Sequence, residues 1–197
     1  MTSDAGTIVL RPATRRDADV IAALHADSWR RSYRGAYSDS YLDGDVLGDR
    51  RAVWAARLAA DAADRRTIVA ESGGRVAGFA HVVLDDHPVW GALLDNLHVV
   101  HDRKRQGIGA LLLDQVARTV VEARPASRLF LWVLEQNESA HAFYESLGGR
   151  CVERELVSGV DGDPSRLTGA PWCLRYVWFE PALLIRPAER PAPGGPP

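Results

Sequence analysis

Six consecutive residues carry the sharpest chemical signal in this chain: Lys104, Arg105, Gln106, Gly107, Ile108 and Gly109. An apolar run containing Leu93, Leu94, Leu97, Val99 and Val100 precedes them, and a second one opens at Ala110, Leu111, Leu112 and Leu113. The pattern reads as a buried strand, a basic glycine turn and the start of a helix. Such a turn suits a phosphate group. Glycine lets the backbone approach a ligand, and the first N–H groups of a helix have no partner inside it. The helix dipole adds roughly +0.5 charge at that end. Spacing narrows the choice of ligand. A P-loop needs four residues between its glycines and then Lys-Ser or Lys-Thr, but one residue separates Gly107 from Gly109 and no such pair follows. A dinucleotide fingerprint needs a third glycine where this chain has Leu112.

A second group of reactive residues follows the next apolar segment: Asn137, then Phe143, Tyr144 and Glu145, then Leu147 and Gly148. Groups able to take a proton lie on the strand before the basic turn. Asp95 shares the face of Leu93 if that strand alternates regularly, and His98 then falls on the opposite face. His98 has the more suitable ordinary pKa, near 6.5. His81 and His87 are further options. Farther upstream Trp29, Tyr33, Tyr37 and Tyr41 recur every four residues in a segment also rich in arginine. Aromatic packing of a helix and loop explains that spacing without any ligand.

These residues need a scaffold, and the pattern supplies one. A short strand over 7–10 ends at Arg11-Pro12, and Thr14 with Asp17 marks a helix start running to Trp29. A second amphipathic helix is expected over 50–64. Strands are expected over 67–72 and 75–84, joined by a Gly73-Gly74 hairpin, with Gly78 a bulge or close-approach point. Asp85 to Pro88 reads as a polar turn, followed by a strand over 93–100 and a helix from Gly107 to Ala123 that Pro125 ends. A strand over 128–134 leads to a helix capped by Asn137, with Ala140 at its third position, and stopped by Gly148-Gly149. Segments 150–157 and 172–179 form a final antiparallel pair across a Gly/Asp/Pro-rich loop.

The basic-x-x-Gly-x-Gly turn resembles the pyrophosphate-binding motif of the GNAT superfamily of acetyl-CoA-dependent N-acetyltransferases. Lys104 stands where that family usually has Gln or Arg. The opening Ile8 to Thr14 segment and the Asn137/Phe143-Tyr144-Glu145 helix resemble two further parts of the family pattern, in the right order. The resemblance implies an α/β fold: a mixed sheet of about six or seven strands, splayed at its middle, with helices on both faces. It implies a single domain over 7–184, and residues 187–197 read as a Pro-rich disordered tail.

By the same resemblance acetyl-CoA is the co-substrate. The strand around Leu97, His98 and Val99 would pair with the pantetheine arm. Backbone N–H groups of Arg105, Gln106, Gly107, Ile108, Gly109 and Ala110 would cradle the pyrophosphate. Asn137 would touch the pantetheine, and Tyr144 would protonate the departing thiolate. The glutamate that many members carry as general base is replaced here by Leu93, which leaves Asp95 the first candidate. Trp29, Tyr33 and Tyr37 would wall the acceptor site, with Asp39, Asp43 and Asp45 nearby for a cationic small molecule or peptide N-terminus. The reaction expected is direct acetyl transfer to an amine. No cysteine lies in either motif to carry a covalent intermediate. The rival expectation is a non-catalytic acyl-CoA-binding or regulatory module with a degenerate base site.

Bulk properties agree with this reading. The 197 residues suit one domain, and a formal net charge of −2 gives no reason to expect a nucleic-acid partner. No apolar run approaches a membrane span and no signal segment opens the chain, so a cytoplasmic protein is expected. Cys151 and Cys173 form no metal-ligand pattern, so no metal is expected, and both fall in strand segments. A homodimer is expected, mainly from the resemblance.

Overall fold

The computed structural model describes residues 7–60 and 62–187. The expected tail therefore lies, apart from Pro187, outside the described residues. Seven strands form one mixed sheet: β1 (Ile8–Pro12), β2 (Arg65–Ser72), β3 (Arg75–His87), β4 (Gly91–Val99), β5 (Leu129–Leu134), β6 (Arg150–Leu156) and β7 (Trp172–Trp178). Their spatial order is β1-β2-β3-β4-β5-β7-β6. Only β4 and β5 run parallel. Helices α1 (Ala18–Ser32) and α3 (Val46–Ala59) cover one face, with the short α2 (Asp39–Leu42) between them in sequence. On the other face lie α4 (Ile108–Ala123) and α5 (Glu138–Ser146).

Local chemistry explains most of these elements. Gly73 and Gly74 both adopt positive φ, +57° and +74°, the geometry a two-residue hairpin between Ser72 and Arg75 needs. Gly78 sits beside a β3 bulge, and a Cβ there would come within 2.9 Å of the His98 carbonyl. Thr14 and Asp17 make the reciprocal cap expected of them, and Asp17 also takes two bonds from Arg11. Asn137 caps α5 by accepting from the Ala140 amide at 3.3 Å. The core on the α4 face holds Leu112, Leu113, Val116 and Val120 against Ala80, Val82 and Leu94.

Three expectations need correction. Helix α3 starts at Val46 and ends at Ala59, not over 50–64. Asp45 is its cap, accepting from the Gly48 amide at 2.9 Å. Asp85 to His87 belong to β3, because Asp85 and its neighbours continue the strand until the turn before Gly91. The strand alternation assumed for Asp95 also fails. His81 pairs with Asn96 and Val82 with Leu94, so Asp95 is the extra residue of a β4 bulge. Paired residues share a face. Leu93, Asn96 and His98 therefore share the α1/α3 face, while Leu94, Leu97 and Val99 face α4.

Candidate active site

The parallel ladder between β4 and β5 holds only two pairs, Ala92 with Leu129 and Leu93 with Phe130. Beyond them the strands part. The edge of β4 from Leu94 to Val99 is left facing a cleft of about 620 Å³. This opening is the splay expected of the sheet. Its width follows from the bulge at Asp95, since an extra residue bends and twists its strand away from the neighbour.

One end of the cleft is the turn into α4. Arg105 at φ +62° and Gly107 at φ +81° are both left-handed and fold the chain tightly into the helix. No side chain caps α4, unlike α3 and α5, and Gly107, Ile108, Gly109 and Ala110 all line the cleft. Unpartnered first-turn amides thus face the space. Gly109 has a second reason to be glycine: a Cβ would meet the Phe143 ring at 3.2 Å, so its absence lets α5 pack against the start of α4. Arg103, Lys104 and Arg105 line the same end, with Arg103 held by a bond to Ser72 Oγ at 2.7 Å. The Gln106 side chain is exposed, donates to the Asp102 carbonyl and does not line the cleft.

The middle of the cleft brings Asn137, Tyr144, Asp95 and His98 together with Leu97 and Val99. Asn137 spends its side-chain oxygen on Ala140 and Ser139, which leaves its NH2 group without a partner among the described residues. The Tyr144 ring packs on Tyr176 and Trp178, and its hydroxyl has no bond among the described residues. Burial pushes its pKa upward, so the hydroxyl keeps its proton at neutral pH. His98 Nδ1 lies 2.9 Å from Ser28 Oγ, and burial lowers its pKa to about 4, so its ring is neutral at pH 7. Asp95 and His98 both line the cleft, although regular alternation would have parted them.

The far end is walled by Trp29, Tyr33 and Tyr37, as the sequence suggested, while Tyr41 packs beside them outside the cleft lining. Trp29 and Tyr33 stack with ring centres 5.7 Å apart, and burial pushes the Tyr33 hydroxyl up to about 12. The same rings form a core with Leu42, Val46 and Val160, so they pack on one another as well as line the cleft. Asp39 and Asp43 do not reach this space. Both pair with Arg34 on the surface.

Sequence reasoning missed the segment between β6 and β7. It is stitched to the α1–α2 connection through Ser38 N–H to the Arg166 carbonyl at 2.8 Å and Thr168 N–H to the Ala36 carbonyl at 2.9 Å. Arg50, only 2% exposed, lies over the Trp29 ring and bonds Asp49 and Asp161. The sequence placed Arg57 on the second amphipathic helix without its partner; it reaches from α3 to Asp95 at 2.6 Å. The only advance sign was the Gly/Asp composition of the loop, which marks a turn without saying what it covers. Among the described residues no group of three or more His, Cys, Asp or Glu could hold a metal, and no helix is long and apolar enough to cross a membrane.

Comparison with known proteins assigns this arrangement. Residues 23–149 match the model of the acetyltransferase (GNAT) family. A Mycobacterium tuberculosis protein described as a probable N-acetyltransferase is 30% identical over 161 residues, covering 78% of this chain and 88% of that protein. The ribosomal protein bS18 alanine N-acetyltransferase of Escherichia coli is 42% identical over 93 residues, covering 45% of this chain and 59% of the enzyme. The fold is that of PaiA N-acetyltransferase from Thermoplasma acidophilum, solved with coenzyme A (TM-score 0.65, 18% identity, 87% of this chain and 99% of that one). It is also that of YncA from Salmonella typhimurium, solved with acetyl-CoA (TM-score 0.62, 17% identity, 95% of this chain and 99% of that one). The uncapped α4 turn, the open β4 edge and the Tyr144 helix are therefore parts of an acyltransferase, and the chain belongs to the GNAT acetyltransferase family.

Proposed function

We propose that the chain transfers the acetyl group of acetyl-CoA directly to the amine of a small molecule or peptide. The observation that carries this reading is the unbroken cleft from the uncapped start of α4, along the free edge of β4, to the aromatic wall. Coenzyme A fits it in one direction. Its diphosphate meets the amides from Arg105 to Ala110, Gln106 contributing backbone only. Its pantetheine pairs with the β4 edge at Leu97, His98 and Val99 as an added strand and receives a bond from the Asn137 NH2 group. The thioester then lies toward Tyr144 and Asp95, with Trp29, Tyr33 and Tyr37 around the acceptor.

The chemistry follows from charge. The acceptor arrives as an ammonium and must lose a proton before its lone pair can attack. Asp95 has a free oxygen to hold the ammonium and accept that proton, directly or through water. The nitrogen pair bonds to the carbonyl carbon, the C–S bond breaks, and the sulfur takes the Tyr144 proton. The new amide nitrogen sheds its second proton, so one proton is released per turnover. Backbone N–H groups on β4 would polarise the carbonyl.

Two measurements test this. Acetyl-CoA at 100 times its dissociation constant should stabilise the fold by about 2.7 kcal/mol, a rise in melting temperature of roughly 5–10 °C. No shift at millimolar acetyl-CoA rejects the reading. Acceptor-dependent release of free thiol then separates the enzyme from the binding module that Leu93, in place of the usual glutamate, would suggest. Binding without any thiol release, across polyamines, amino acids and peptide amines, would favour the module.

A further inference from the structure

We propose that the acceptor is a free α-amino acid, held as a zwitterion by the Asp95–Arg57 pair. This rests on the acetyl-transfer reading above and adds the class of acceptor. The two side chains lie in the cleft with their groups only partly satisfied. Asp95 takes both of its bonds on Oδ2, from Arg57 Nη1 and from Asn96 Nδ2, each at 2.6 Å. Its Oδ1 has no partner among the described residues. Arg57 spends only Nη1, which leaves Nη2 and Nε without a partner among the described residues. Its guanidinium stands over the Trp54 ring at 5.1 Å, which fixes the plane of the fork. The side chains are 26% and 29% exposed.

A free carboxylate oxygen beside a free guanidinium edge is the complement of an ammonium beside a carboxylate. An α-amino acid presents that pair on one carbon. Its carboxylate meets Arg57 through two N–H groups, and its ammonium meets Asp95 Oδ1. A polyamine would satisfy Asp95 and face Arg57 with like charge. A peptide N-terminus would leave Arg57 opposite a neutral carbonyl. The other ion pair in the cleft is more enclosed: Arg50 is 2% exposed and bonds Asp49 and Asp161 through Nη2, with its Nε buried and without a partner among the described residues.

Enclosure points the same way. The β6–β7 segment closes the acceptor end through its bonds to Ala36 and Ser38, and Val160 from that segment is 2% exposed. A small molecule fits behind such walls better than a chain that must continue outward. Tyr33 and Trp29 then face the amino-acid side chain, which favours an apolar or aromatic one. Acetylation removes the positive charge, so the product loses its partner at Asp95 and leaves.

The test compares phenylalanine, leucine and methionine with their carboxamides and with spermidine, following thiol release from acetyl-CoA on the full chain. A free acid should exceed its own carboxamide in kcat/KM by about 100-fold, since the amide leaves the Arg57 edge unmatched. Arg57→Gln should raise KM for the acid tenfold or more and shrink that ratio toward one, with KM for acetyl-CoA unchanged. The comparison of acid with carboxamide uses the wild-type chain and stands even if the variant folds poorly. Equal rates for acid and amide, or a preference for spermidine or a peptide amine, would overturn the proposal. A melting shift with acetyl-CoA but no turnover of any amino acid would also overturn it and leave cofactor binding intact. Absence of that shift would remove the underlying reading instead.

Discussion

Stability should fall steeply between pH 7 and pH 5, and histidine burial sets the size of the fall. His81 and His98 sit on the α1/α3 face of the sheet, 2% and 9% exposed. Burial lowers His98 to about 4; Lys104 adds to the shift and Asp95 opposes it. Burial also lowers His81 to about 4, helped by Arg57 and Arg65 and opposed by Asp95 and Asp64. His25, packed against His98 with ring centres 4.7 Å apart, is lowered too, by burial first and then by His98, Arg50 and Arg57. In the unfolded chain each titrates near 6.5. Between 6.5 and 4 the unfolded state therefore binds protons that the native state refuses, and stability drops as pH drops. At pH 5 each of His81 and His98 costs about 2 kcal/mol, or about 4 kcal/mol together, against less than about 0.5 kcal/mol at pH 7. That is a large share of a typical stability of about 5–15 kcal/mol. Asp17 lies outside this window. Asp17, held down to about 2 mainly by its bonds from Arg11, loses its contribution only once the pH falls below about 4. Urea unfolding at pH 7, 6 and 5, at fixed ionic strength, should show the loss, most of it below pH 6. His98→Gln, which keeps a polar group beside Ser28, should reduce the loss between pH 7 and 5 by about 2 kcal/mol. A flat profile for the wild type, or an unchanged slope in the variant, would refute the argument.

Three shorter predictions follow from the same geometry. Tyr144→Phe keeps the ring on Tyr176 and Trp178 and removes only the unbonded hydroxyl. Stability should change by less than about 1 kcal/mol while kcat falls by about 10²–10⁴; unchanged turnover would exclude the donor role. Gly107→Ala meets no atom within 4 Å but forces φ +81° on an L-residue, so it should cost about 1–2 kcal/mol and weaken acetyl-CoA binding, both readable by calorimetry. Arg50→Met removes a buried cation from Asp49 and Asp161, which keep Arg166, and from the face of Trp29. It should cost about 1–3 kcal/mol and raise acceptor KM with acetyl-CoA affinity intact, as steady-state kinetics and a melting curve would show.

What could be read from the sequence was what short-range rules determine. The Gly73-Gly74 hairpin, the Asn137 cap and the glycine turn into α4 depend on residues within a few positions of one another, and each stands where the pattern put it. The inner strands such as β5 follow from apolar runs that burial satisfies, whereas β6 is exposed along its whole length. Side-chain direction on β4 could not be read this way. Counting by twos from Leu93 predicts that Asp95 points with it and His98 points away. The bulge at Asp95 is set by the register against β3, where His81 takes Asn96 and Val82 takes Leu94. A partner more than ten residues away thus decides the parity of every residue from Asn96 to Val99. One inserted residue turns His98 to the face of Leu93 and bends the strand away from β5, so the step that hides the site from a linear reading also opens the cleft. Arg57 was hidden for a related reason. On α3 it reads as an exposed helix charge, and only the packing of α3 over β3 and β4 brings it to Asp95. The residues proposed to hold the diphosphate are thus local to one turn and legible. Those proposed to choose the acceptor come from β4, α3 and the β6–β7 segment, and they meet only when the sheet is complete.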